Sequence, residues 1–150
     1  MLTIAICEDE EHLLEELQRK VEKYTEQNHR SANISSYLCG EALLKEEAPF
    51  DVILLDLKLP GINGMEVARQ LSSRSRIIFI TSYQEYAVEA FDVEAVHYLL
   101  KPVTDERLHL ALDRAIKRTE QMDDKALTLM KSGETHEIRI RDIKYCEVFN

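Results

Sequence analysis

The chain has 150 residues, 45% of them hydrophobic, which suits one domain with a proper core plus an appendage. Its formal charge is -9, from 28 acidic and 19 basic residues, so this stretch alone is a poor partner for a phosphate backbone. Three widely spaced cysteines (Cys7, Cys39 and Cys146), with no CxxC, argue against a zinc site or a disulfide framework.

The N-terminus turns acidic after a few apolar residues and is no signal peptide, and no apolar run is long enough to span a membrane. The expected location is therefore the cytoplasm, with no membrane partner. Leu2–Cys7 reads as a strand ending on an acidic cluster. A helix follows from Glu10 to about Gln27, with Leu13, Leu14, Leu17, Val21 and Tyr24 on one face. Asn33–Leu38 reads as a strand and Gly40–Glu47 as a short helix. Asp51–Asp56 is a near-continuous apolar run, the mark of a strand covered on both faces. A Pro-Gly turn leads to a helix over Met65–Ser72. Arg76–Ile80 is a buried strand ending at Thr81 and Ser82, followed by a helix from Gln84 to about Phe91. Val96–Leu100 is the fifth strand, stopped by Lys101 and Pro102. Thr104 caps a last helix with Asp105 and Glu106 in its first turn. From Asp123 the pattern shifts to period two: Leu127–Met130, then Ile138–Ile140, then Ile143–Val148, with a turn at Gly133. These read as the opening strands of an antiparallel unit.

Five strand–helix repeats predict a parallel sheet with helices on both faces and right-handed crossovers. Ligands of such sheets sit beyond the carboxyl ends of the strands. That filter passes Glu8 and Asp9 after strand one, Asp56 after strand three, Thr81 and Ser82 after strand four, and Lys101 after strand five. Three gathered carboxylates repel one another unless neutralised, and Mg²⁺, a hard oxygen-seeking cation, does this well. A carboxylate also attacks phosphorus to give an acyl phosphate, whose oxygens an ammonium and a hydroxyl can stabilise. Lys101 and Thr81 suit those two roles. Thr81 can equally serve as an N-cap.

ICEDE, LLDLKLPGINGME, FITS and YLLKP, in this order and spacing, resemble the receiver domain of two-component response regulators over roughly residues 1–120. The resemblance implies a flavodoxin-like fold with sheet order 2-1-3-4-5. It makes Asp56 the phosphorylated residue, with Thr81 and Lys101 contacting the phosphoryl group. It implies a Mg²⁺ site formed by Glu8, Asp9, Asp56 and the backbone carbonyl of Lys58. Thr81 and Tyr98 become the switch pair, although an inward tyrosine can be simple core. It also implies a cis Lys101–Pro102 bond. Lys58 and Tyr83 occupy the positions that border the approach of water to the acyl phosphate. One departure is Glu8, where aspartate is commoner.

The stretch QEYAVEAFDVEAVHYLLKP resembles receivers joined to LytTR-type DNA-binding domains, and IRIRDIKYCEVFN resembles the opening of such a domain. Residues 121–150 are then a linker and the start of that domain. The implied partners are a sensor histidine kinase, DNA through the missing domain only, and a second copy through the surface of helix four, strand five and helix five. The competing readings are an aspartyl-phosphate phosphatase and a pseudo-receiver that no longer accepts phosphate. Leu57 and Lys58, standing where haloacid-dehalogenase-like phosphatases place a second aspartate, argue against the former. The intact set of Asp56, Thr81 and Lys101 argues against the latter.

Overall fold

Side chains alternate along each strand, so a sheet covered on both faces needs apolar residues at nearly every position. The computed structural model, which describes residues 1–132 and the side chains of 1–120, has such apolar runs in the middle of its sheet, while the edge strand Ala32–Tyr37 carries Asn33, Ser35 and Ser36. Its strands are β1 (Leu2–Cys7), β2 (Ala32–Tyr37), β3 (Val52–Leu55), β4 (Arg76–Thr81) and β5 (His97–Leu100). They form a parallel sheet of order β2-β1-β3-β4-β5. The helices are α1 (Glu11–Gln27), α2 (Gly40–Leu44), α3 (Gly64–Leu71), α4 (Ala87–Asp92) and α5 (Asp105–Ser132). The flavodoxin-like expectation holds.

Ile4, Ile6, Val52, Leu54, Ile78 and Ile80 face one side and pack with α1 and α5. Ala5, Cys7, Ile53, Leu55, Ile77 and Phe79 face the other and pack with α2, α3 and α4. Cys7 is buried, and burial pushes its thiol up to about 12, which makes it an inert core residue. Of the predicted α1 face, Leu14, Leu17, Val21 and Tyr24 are buried, while Leu13 lies half-exposed at the rim.

A polar seam ties α5 and the loop before it to α1 and the turn after it. Lys20 donates to the Val103 carbonyl at 2.6 Å, Lys23 pairs with Asp105 at 3.3 Å, and Arg30 pairs with Glu120 at 2.9 Å. Between them, the Tyr24 hydroxyl donates to Asp113 and its ring meets His109 edge-on.

Three expectations are corrected. The expected strand at Leu127–Met130 is part of α5, which runs unbroken to Ser132. Strong helix formers (Glu, Gln, Met, Lys, Ala and Leu) occupy nine of the twelve positions 120–131, and this outweighs a four-residue period-two pattern. The helix expected from Gln84 begins instead as a 3-10 turn, Gln84–Tyr86, and only then becomes α4. The helix expected to reach Glu47 ends at Leu44. The remaining predicted strands, at 138–140 and 143–148, lie outside the described residues, as does Cys146.

Candidate functional site

Parallel register fixes what meets at the carboxyl edge. Cys7 is paired with Leu55, Leu55 with Phe79, and Thr81 with Leu100. The next residues therefore emerge side by side. Asp56 donates its N–H to the Cys7 carbonyl at 3.1 Å, and Lys101 donates its N–H to the Thr81 carbonyl at 2.9 Å. Four backbones are thus locked before any side chain is considered.

Glu8, Asp9 and Asp56 each offer a carboxylate oxygen within 4.8 Å of the others. Glu8 and Asp56 are buried, whereas Asp9 is exposed. The Lys101 ammonium bridges the buried pair, donating to Glu8 Oε1 and, at 3.0 Å, to Asp56 Oδ2. The extra methylene of Glu8 has a visible use here, because it carries the carboxylate to Lys101. Burial opposes the charge on Lys101, but its hydrogen bonds to Glu8 and Asp56 outweigh burial and hold its pKa above the ordinary range. Burial pushes the Glu8 carboxyl up to about 7; the Lys101 hydrogen bond resists this and the Asp56 charge reinforces it. Three carboxylates against one ammonium leave an acidic pocket that suits a divalent cation.

Thr81 is fully buried, and its hydroxyl accepts from the Tyr83 N–H at 3.3 Å. It shapes the β4–α4 turn; the helix that follows has no side-chain cap. Ser82 is exposed and lines, with Leu13, Leu17, Pro102 and Val103, a cleft of about 340 Å³ between α1 and the end of β5. The Lys58 N–H donates to Asp56 Oδ1 at 3.4 Å. Tyr98 is half-buried against Phe79, and its hydroxyl donates to the Tyr83 carbonyl. The Lys101–Pro102 peptide is cis.

Two features of the site escaped the sequence reading. Asn63 caps α3, accepting from the Glu66 N–H at 3.0 Å, a signal present in the Asn-Gly-Met-Glu pattern. Gly64 then lies so close to the end of β3 that a Cβ would come within 2.0 Å of the Asp56 carbonyl oxygen. Only glycine permits this approach. Gly64→Ala is expected to destabilise the fold by about 1–3 kcal/mol through overpacking against backbone, lowering the thermal midpoint by several degrees. An unchanged midpoint in thermal denaturation would show that the loop yields freely.

The profile of the response regulator receiver domain matches residues 4–113. The chain belongs to the response regulator receiver family. It is 42% identical over 85 residues to the sensory transduction protein LytT of Oceanobacillus iheyensis, covering 52% of this chain and 35% of that protein. It is 37% identical over 131 residues to the positive alginate biosynthesis regulatory protein of Pseudomonas aeruginosa, covering 85% of this chain and 52% of that protein. The chain thus spans about half or less of the length of these relatives. The response regulatory domain of protein mrkE from Klebsiella pneumoniae has the same fold, with a TM-score of 0.71 and 32% identity, covering 80% of this chain and 99% of that one. The described receiver contains no helix long and apolar enough to cross a membrane.

Proposed function

We propose that this receiver accepts a phosphoryl group on Asp56 from a phosphohistidine of a sensor kinase. One observation carries the reading: the Lys101 ammonium sits 3.0 Å from Asp56 Oδ2, beside three converging carboxylates. In the reaction a carboxylate oxygen of Asp56 bonds to phosphorus as the N–P bond of the donor breaks, and the donor imidazole departs with that electron pair. Lys101 offsets charge on the phosphoryl oxygens, and the Thr81 hydroxyl becomes a donor to them by leaving the Tyr83 amide. Glu8, Asp9, Asp56 and the Lys58 carbonyl would hold Mg²⁺, which neutralises charge at the reacting centre when bound.

Thr81 and Tyr98 form the switch in this reading. Both act on Tyr83: Thr81 accepts its N–H and Tyr98 donates to its carbonyl. A Thr81 hydroxyl drawn to the phosphoryl group frees that turn, and the population shifts toward an active form. The output is DNA binding through a LytTR-type domain beyond residue 120, a reading supported by the similarity to LytT and the alginate regulator.

The activity is tested by incubating the protein with a small phosphodonor and Mg²⁺ and weighing it intact. One added phosphoryl group that persists supports the switch. Rapid release of phosphate with no adduct indicates a phosphatase, and an unchanged protein a pseudo-receiver.

Self-association is proposed through the α4–β5–α5 surface, where Val88, Phe91 and Leu110 are exposed apolar side chains. Phosphorylated protein is expected to elute as a dimer on size exclusion and Phe91→Glu to elute as a monomer. Equal elution of the two would remove this face from the interface.

A further inference from the structure

Lys58 follows Asp56 by two residues, and its N–H is bonded to that carboxylate, so its Cα is pinned at the rim of the acidic pocket. From there a lysine stem can carry an ammonium to the carboxylates. The structure shows it elsewhere. The Lys58 ammonium lies 5.1 Å from the centre of the Tyr83 ring and 5.3 Å from that of Tyr86, and it donates to the Tyr86 hydroxyl at 3.3 Å. The two rings meet edge to face, 6.3 Å apart, as a corner around the cation.

This corner is built. Tyr83 is fixed at both backbone ends, its N–H by Thr81 and its carbonyl by Tyr98. Tyr86 closes the 3-10 turn and lines a cavity of about 120 Å³ with Leu57 and Met65, on the α3 side. The hydrogen bond to Tyr86 also holds the Lys58 ammonium above its ordinary pKa, so the group stays charged.

We propose that Tyr86, with Tyr83, parks the Lys58 ammonium off the acidic pocket and so keeps that pocket available to a divalent cation. Tyr86 is a positioning residue in this scheme and acts through Lys58. The physical need is plain. Three carboxylates attract any mobile cation nearby, and a second ammonium among them would compete with the metal for the same oxygens. An exposed cation–π contact is worth roughly a two- to fivefold bias, and here two are combined with a hydrogen bond. The scheme rests on the cation-holding reading of the pocket given above.

The test uses Mn²⁺ alone, titrated into the whole chain and followed by electron paramagnetic resonance, with no phosphodonor. Tyr86→Ala is expected to weaken Mn²⁺ binding about three- to tenfold. Tyr86→Phe, which keeps the ring and loses the hydrogen bond, should fall between. Adding Lys58→Met to Tyr86→Ala should restore the original affinity, because the competitor is gone; a loss that persists in the double variant overturns the proposal by showing general damage to the turn. In parallel, the Lys58 methylene protons should be shifted upfield by the rings in the unaltered chain and return to ordinary values in Tyr86→Ala. Unchanged methylene shifts, or unchanged Mn²⁺ affinity in Tyr86→Ala, also overturn it. Should the unaltered chain bind no Mn²⁺, the cation reading of the pocket fails together with the role given to Tyr86, and the methylene shifts still report whether the corner itself forms.

Discussion

Asp56→Asn is expected to abolish labelling by a small phosphodonor while leaving the protein folded. The substitution keeps the shape of the side chain and one oxygen, which can accept from Lys101 or from the Lys58 N–H but not from both, since these bond opposite oxygens of Asp56. What it removes is the negative charge that makes the group a nucleophile. The neighbouring carboxylates do not replace it in this geometry. Glu8 is buried and bonded to Lys101, and Asp9 is exposed at the pocket edge. Intact mass after donor treatment should therefore show no added phosphoryl group, and circular dichroism should match the unaltered protein. Robust labelling of the variant at Asp9 would move the nucleophile to that residue.

Metal removal has the second large effect. An incoming phosphoryl group carries negative charge into a pocket that already holds three carboxylates and one ammonium. Chelation is expected to slow transfer by ~100-fold or more, the scale of losing one strong electrostatic stabiliser. A rate unchanged by EDTA would refute the acidic-pocket reading. Glu8 adds a pH signature. Its folded value, about 7, lies above the ordinary 4.5, because burial and Asp56 outweigh Lys101. The folded chain thus holds this proton more tightly than the unfolded chain does. The resulting stability is complete below the ordinary carboxylate range and is lost as the pH rises through about 7. A bound cation displaces the proton, so cation affinity should increase across that same rise. Thermal denaturation with and without Mg²⁺, on either side of neutrality, reads both trends. Glu8→Gln should flatten them, and a variant that keeps the full pH response would assign it to another group.

Where the chain announced itself, it did so through strand ends. Apolar runs that stop on Glu8, Asp56, Thr81 and Lys101 can be read without coordinates, because a parallel sheet must place such ends together. The metal-ready trio and its lysine were legible for that reason. The departure at Glu8 was visible as well, but its reach to Lys101 depends on a rotamer. The tyrosine corner was harder still. Lys58 and Tyr86 are 28 residues apart, and no periodicity links them; only the fold brings β3's loop beside the start of α4. The tail shows the opposite failure. Leu127–Met130 offered a period-two pattern too short to arbitrate, and helix propensity decided it.

That unbroken α5 has a mechanical consequence. It is 28 residues long, or roughly 42 Å at 1.5 Å per residue, and its stretch up to Glu120 is held by Lys23 and Tyr24 of α1 and by Arg30 just after that helix. A continuous helix with one end clamped fixes the helical phase of the stretch beyond Glu120. That phase becomes a design variable. Inserting one residue between Glu120 and Ser132 rotates everything downstream by about 100° and advances it by about 1.5 Å, whereas inserting seven returns it close to its original heading, roughly 10 Å farther out. An output unit mounted on this helix would therefore depend on linker length periodically, with a beat of 3.6 residues.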